Sequence, residues 1–345
     1  MKNLNKTIIK NIRLFNMLRI LISCVIAYTI AMFFHIPYIA WAPITIIVVM
    51  AANYSGAISH KASQRISGTF LGALLGLSLY LLPETDKILH YTLLLSMLAV
   101  TLFFTLGKYS YGAILASVTL VLVAGNGPGD LTIALWRTVN VLWGGLLAIL
   151  ASKFLFPARA SYHFKVLSGD YLEQFHLVYS QHNQLAHQQE EHEPINLAPL
   201  NATLKQLSGL EGSIKHETPN QGNCTKKLIQ CYERMFSLLE NITQTPWSHQ
   251  YGHRKIQELD GLFEAKEQLS SCIETLAEHI SSEAVLPYVL QQKDLEILAL
   301  FPTIAGSKEP RTDISFYSYL WLNRELARKL VMVTEYIEAE SKLSK

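Results

Sequence analysis

The stretch ILISCVIAYTIAMFFHIPYIAWAPITIIVVMAANYSGAISH, Ile20–His60, runs forty-one residues without an Asp, Glu, Lys or Arg. A helix bathed in water needs a polar face and cannot stay uncharged for that long. A bilayer span needs roughly 20 apolar residues, so the stretch has room for two. It divides at His35-Ile36-Pro37, where proline ends a helix and restricts the residue before it. Pro43 is expected to kink the second of the two. A cleaved signal peptide would give one short apolar stretch, not a series of them.

The same reading extends outward. Further uncharged runs cover Ile66–Pro83, Ile88–Gly107 and Tyr109–Gly129, of eighteen, twenty and twenty-one residues. With the segment that follows they predict six transmembrane helices, at about 19–34, 37–52, 66–82, 88–106, 109–124 and 131–156. The turn Gly125-Asn126-Gly127-Pro128-Gly129-Asp130 separates the last two. Residues 1–157 hold eleven Lys/Arg and only the acids Glu84, Asp86 and Asp130, whereas 158–345 hold eighteen Lys/Arg and twenty-four acids. The expected fold is therefore all-α, with a six-helix transmembrane domain over 1–157 and a cytoplasmic helical bundle over 158–345. Orientation follows from the basic residues. With the N-terminus inside, Lys2, Lys6, Lys10, Arg13, Arg19, Lys61, Arg65, Lys108, Lys153, Arg159 and Lys165 all fall on the cytoplasmic side, against Lys87 outside.

Beyond Pro157 the apolar residues adopt helical spacing over 161–181, 225–242, 251–280 and about 315–340, interrupted by polar Gln188–Pro194 and Lys215–Gly222. This reads as a bundle of five or six helices.

Two segments of the membrane half can be superposed. Gln64-Arg65-Ile66-Ser67-Gly68-Thr69-Phe70-Leu71-Gly72 and Trp136-Arg137-Thr138-Val139-Asn140-Val141-Leu142-Trp143-Gly144 each place an arginine three residues before a small or polar side chain and seven before a glycine. The copies lie three helices apart. Three is odd, so the second copy is expected upside down: an inverted 3+3 repeat, a common plan for alternating-access transporters. Arg65 is expected at the cytoplasmic end of its helix and Arg137 just inside the opposite end, one positive charge near each mouth of a solute path. The simpler readings are that Arg65 obeys the positive-inside rule, and that Arg137 snorkels outward or pairs with Asp130. Intramembrane arginine is costly unless paired or hydrated, which makes Arg137 the more informative of the two. Asn140 and Thr69 complete the candidate solute pathway. Gly68, Gly72 and Gly76, with Gly144 and Gly145, read as helix-packing positions, since small residues let membrane helices approach closely.

Other chemistry finds no support in the sequence. Cys24, Cys224, Cys231 and Cys272 form no CxxC pair and no zinc spacing. His176, His182, His187 and His192 read as a solvated helix end rather than a metal site. No phosphate-binding Gly-rich loop or nucleophile motif is present, so neither enzymatic activity nor a cofactor is expected. The acidic second half argues against nucleic acid.

At Arg65–Gly76 and Trp136–Gly145 the sequence resembles the FUSC family, the fusaric-acid-resistance and aromatic-acid-exporter group. The shared pattern is an arginine, then Gly-Thr, then spaced glycines, and later Trp-Arg ahead of a glycine pair. Tyr319-Leu320-Trp321-Leu322-Asn323 also looks like part of it, and Asn140 departs from it where a small residue is expected. The resemblance implies an inner-membrane protein of six spans plus a cytoplasmic helical domain, moving small organic anions such as aromatic carboxylates outward. The membrane half is distantly similar to plant aluminium-activated malate channels, which are dimeric. Together with the two-module chains of longer family members, this implies a homodimer; a periplasmic partner protein is left open. The alternatives are a dimeric anion channel and a non-transporting scaffold or sensor. No intramembrane Asp or Glu is available as a proton relay, which weighs against proton coupling.

Overall fold

The computed structural model describes residues 7–9, 11–82, 86–107, 109–125, 131–187, 195–244, 259–282, 289–300 and 310–343, and every regular element among them is helical. The chain divides into two compact units, Met1–Ala160 and Ser161–Lys345.

The first unit contains α1 (Ile12–Phe33), α2 (Trp41–Met50), α3 (Ser55–Ser78, continued by a 3₁₀ turn at Leu79–Leu81), α4 (Lys87–Phe103, with a 3₁₀ turn at Phe104–Leu106), α5 (Ser110–Ala124) and α6 (Leu131–Phe154). Among the described residues three helices are long and apolar enough to cross a membrane: Ile12–Phe33, Lys87–Leu106 and Leu135–Phe154. Two shorter apolar helices, Trp41–Met50 and Ser110–Ala124, accompany them. Helix α3 has the length, but its first half carries His60, Lys61, Gln64 and Arg65.

Two boundaries differ from the sequence expectation in ways that matter. Helix α2 begins at Trp41 rather than near residue 37, so Pro43 sits in its first turn, where the missing N–H costs nothing, and the expected kink does not arise. Ten residues rise only about 15 Å, half the hydrocarbon thickness of about 30 Å. The link from α1 turns sharply, with His35 and Tyr38 at φ 52° and 53°. Helix α3 starts eleven residues earlier than expected, at Ser55. Arg65 therefore lies inside the helix, not at its end.

Packing is organised around α3 and α6, which lie against each other and run antiparallel. Ile66 lies against Gly145, and Ile58 and Ala62 share one cluster with Ala148 and Ala151. Helix α5 packs along α3, and α2 packs along α6. Both of these contacts are parallel and made backbone to backbone. A Cβ on Gly68 would collide with the Gly112 carbonyl and one on Gly72 with the Ala116 carbonyl, while one on Gly144 would fall 2.9 Å from the Ala42 Cα. Outside, α1 covers α2, and α4 covers α5. The faces turned away from the bundle are apolar: Val25, Met32, Leu95 and Leu146 are all well exposed.

The second unit is built from α7 (Ala160–His187), α8 (Ala198–Glu217), α9 (Gly222–Gln244), α10 (Leu262–Ser282) and α11 (Pro310–Leu343), with 3₁₀ turns at Gln292–Asp294 and Glu296–Leu298. Helix α9 packs on α8 and α11, and α10 on α11. Helix α8 is absent from the segments singled out by sequence. Leu200, Leu204, Leu207, Leu210 and Ile214 line its buried face, but Asn201, Thr203, Gly209 and Gly212 lower the intrinsic helix propensity around them. The break expected over Lys215–Gly222 is shorter, because α8 continues to Glu217. Gln188–Pro194, residues 251–258 and most of the turn before α6 lie outside the described residues.

Candidate functional site

The first two turns of α2 carry the site. Thr45 Oγ1 donates to the Trp41 carbonyl of its own helix at 2.8 Å and accepts from Arg65 Nε of α3 at 3.2 Å. From α6, Arg137 lays its guanidinium over the Trp41 ring, 4.0 Å from its centre. Arg65 and Arg137 are 7% and 8% exposed, and both reach side chains of one turn of α2, Thr45 and Trp41.

This differs from one arginine at each mouth. The two helices are antiparallel and enter from opposite ends, but both side chains reach toward one segment, α2. An arginine side chain extends several ångströms from its backbone, so its charge need not sit where its Cα does. No ion pair to either arginine occurs among the described residues. Asp130, the acid expected to partner Arg137, lies outside them, as does Glu84. Arg137 Nε is buried with no hydrogen-bond partner among the described residues.

Asn140 is fully buried, but its polar atoms are already engaged. Its amide donates to the carbonyls of Pro37 and Tyr38 at 3.0 and 3.3 Å, and its Oδ1 accepts from Trp143 Nε1 at 2.8 Å. In the link before α2 the Tyr38 carbonyl also accepts from the Trp41 N–H at 3.4 Å, and a buried carbonyl must be satisfied somewhere. The Asn140 amide thus helps hold the link before α2 against α6. Thr69 lies buried on α3 one turn beyond Arg65. A Cβ on Gly76 would meet Val123 at 2.7 Å and one on Gly145 would meet Ile66 at 3.0 Å.

A third buried arginine is Arg19, which the charge asymmetry places at the cytoplasmic start of the first span and does not mark for burial. It is 1% exposed. Its Nε donates to the Leu155 carbonyl at 2.9 Å, Nη2 to the Phe156 carbonyl and Nη1 to the Asn53 carbonyl at 3.5 Å. One turn earlier, Asn16 donates to the Met50 carbonyl at 3.1 Å. These two side chains tie α1 to the C-terminal ends of α2 and α6, where helix dipoles favour a positive charge. The face Asn16, Arg19, Ser23, Ala27, Ala31, at spacings of three and four, was the available signal.

In the second unit Tyr319 and Asn323 belong to a buried polar set. Tyr179 Oη donates to Asn323 Oδ1 at 2.7 Å, and Asn323 Nδ2 donates to the Tyr319 carbonyl at 2.8 Å. His182 Nε2 lies 3.1 Å from Tyr319 Oη, and Lys266 Nζ lies 5.0 Å from the centre of the Tyr319 ring. Burial depresses Lys266 to about 7 against the partial support of Glu267. Burial, then the charge of Lys266, depresses His182 to about 3. Trp321 instead faces outward and lines a groove of about 330 Å³ with Arg234 and Lys329.

Residues 26–151 match the family described as fusaric acid resistance protein-like. The chain is also 25% identical over 329 residues to the inner membrane protein YeeA of Escherichia coli (strain K12), a similarity covering 92% of each chain. The family match spans the helices that carry the two converging arginines, and the second similarity runs nearly end to end. On these two findings residues 26–151 resemble the FUSC family, and the chain as a whole is similar to YeeA.

Proposed function

We propose that this chain is an inner-membrane transporter whose solute is a small organic anion, exported from the cell. The family resemblance and the apolar outer faces of α1, α4 and α6 support a membrane transporter. One observation carries the choice of an anion: two buried arginines meet at Trp41 and Thr45, with no carboxylate beside either among the described residues. Two like charges in a low-dielectric setting repel and favour an anion that neutralises them. The same guanidinium geometry binds a carboxylate with paired hydrogen bonds. An aromatic carboxylate also fits the exposed part of the Trp41 ring, and a homodimer with cytoplasmic termini belongs to the same reading.

Purified protein in liposomes, loaded with labelled benzoate, tests this. Arg137→Ala should reduce benzoate flux at least tenfold while the protein stays monodisperse, and Arg137→Lys should restore part of it. Unchanged flux in Arg137→Ala would remove the arginine from the path. Unitary currents in a planar bilayer would favour an anion channel over a carrier, and the absence of both flux and current would favour a scaffold.

A further inference from the structure

Several hydrogen bonds and close contacts of the first unit come in pairs that share constant residue offsets. An offset of 74 residues relates Asn16 to His90, Tyr38 to Gly112, Ala42 to Ala116, Thr45 to Thr119 and Met50 to Ala124. An offset of 72 relates Arg65 to Arg137, Gly68 to Asn140 and Gly72 to Gly144. The contacts obey the same mapping. Asn16 donates to the Met50 carbonyl, and His90 Nε2 donates to the Ala124 carbonyl at 2.9 Å. Gly72 abuts Ala116, and Gly144 abuts Ala42. Gly68 abuts the Gly112 carbonyl, while Asn140 binds the Tyr38 carbonyl. Helix α3 packs on α5 as α6 packs on α2, and α1 on α2 as α4 on α5. The antiparallel run of α3 and α6 supplies the inversion.

The mapping breaks at the bond between Arg65 and Thr45. Arg65 Nε donates to Thr45 Oγ1. The mapped atoms are Arg137 Nε and Thr119 Oγ1, and each is buried without a hydrogen-bond partner among the described residues. Leaving such atoms unpaired is costly, and two of the four buried atoms left so among the described residues of the first unit are the pair that the mapping joins. Arg137 instead lies over Trp41, and position 41 maps to Leu115, which offers Arg65 no aromatic face in return.

We propose that the membrane unit exchanges between two pseudo-equivalent states, the described one with the Arg65–Thr45 bond and a second with an Arg137–Thr119 bond. In the second state Arg137 leaves Trp41 and Arg65 releases Thr45, so the charge meeting a bound anion passes from one inverted half to the other. Trp41 biases the pair toward the described state, because only that state has a cation–π contact. The consequence for solute movement rests on the transport reading above; the exchange itself does not.

Hydrogen–deuterium exchange on the full chain in lipid nanodiscs tests it without any solute. Thr45→Val removes the partner of the described state, and Trp41→Leu removes its bias. Both should change exchange over residues 34–50 and 109–124 severalfold in one direction. Thr119→Val removes the partner of the second state and should shift the same segments the opposite way. Thr45→Ser and Thr119→Ser, which keep the hydroxyl, should match the unaltered protein. Should Thr45→Val fail to fold, Trp41→Leu against Thr119→Val carries the comparison. Shifts in the same direction, or none, overturn the exchange and leave benzoate flux to be judged separately. Opposite shifts with no benzoate flux uphold it and overturn the transport reading.

Discussion

Helices α1 and α9 are nearly equal in length and opposite in construction. In α1 the buried residues are Asn16, Arg19, Ser23, Ala27 and Ala31, while Leu14, Leu21, Val25 and Met32 face outward. In α9 the buried residues are Leu228, Ile229, Tyr232, Met235, Leu239 and Ile242 beside Thr225 and Cys231, and Lys226, Glu233 and Arg234 face outward. The difference shows what each solvent demands. Water drives apolar side chains inward, so α9 folds by hiding them. Lipid offers no such drive, and helices meet there through small residues and hydrogen bonds. The polar face of α1 therefore points into the protein.

Substitutions can break or sharpen this contrast. The largest effect is expected at Tyr232, fully buried in α9 and an acceptor, through its carbonyl, for Tyr171 Oη at 2.8 Å. Tyr232→Ala should destabilise the second unit by about 3–5 kcal/mol, read as a lower denaturant midpoint. A change below about 1 kcal/mol would mean that α9 is not held by its apolar face. Next comes a charge on each outward face. Val25→Asp should cost about 3 kcal/mol in lipid and depress membrane-inserted yield, whereas Lys226→Asp on α9 should stay within about 0.5 kcal/mol. Equal yields from the two would refute a lipid-facing α1.

The smallest effect is a pH dependence confined to the second unit. Lys266 is held at about 7, below its ordinary 10.5. Between those values the unfolded chain binds the extra proton, so stability rises with pH from about 7 and is lower at and below it. Unfolding of the second unit should become harder by on the order of 2 kcal/mol from pH 7 to pH 9, and Lys266→Met should flatten the slope. His182 acts at lower pH. Held at about 3, it makes the second unit lose stability as pH falls below the ordinary histidine value of 6.5. A slope that survives Lys266→Met would assign the dependence to another group.

Much of the membrane unit is legible in its charge gaps, because lipid excludes Asp, Glu, Lys and Arg wherever they lack a protein partner. The six helices of the first unit fall close to the segments so marked, although α2 is shorter and α3 longer. Helix α3 is longer than its uncharged run, which begins only at Ile66, after Lys61 and Arg65. Arg65 was found in the sequence, as was Arg137, since an arginine in an apolar helix stands out. Arg19 was not, because five basic residues near the N-terminus satisfied the positive-inside rule and none seemed to need burial. Asn140 stands out in the sequence as a polar side chain in an apolar span, but its bonds to the Pro37 and Tyr38 carbonyls have no local signal.

The sequence alone thus determined which segments avoid water, where the small residues recur and that two arginines stand in similar local frames. Those properties are local, set by each side chain's transfer energy and by helical periodicity. Only the tertiary structure decided that both arginines reach one turn of α2, that Asn140 bonds the carbonyls of Pro37 and Tyr38, and that Thr119 Oγ1 has no bond among the described residues. Those facts depend on how closely helices distant in sequence approach, and on which of several rotamers a long side chain adopts once its neighbours are in place.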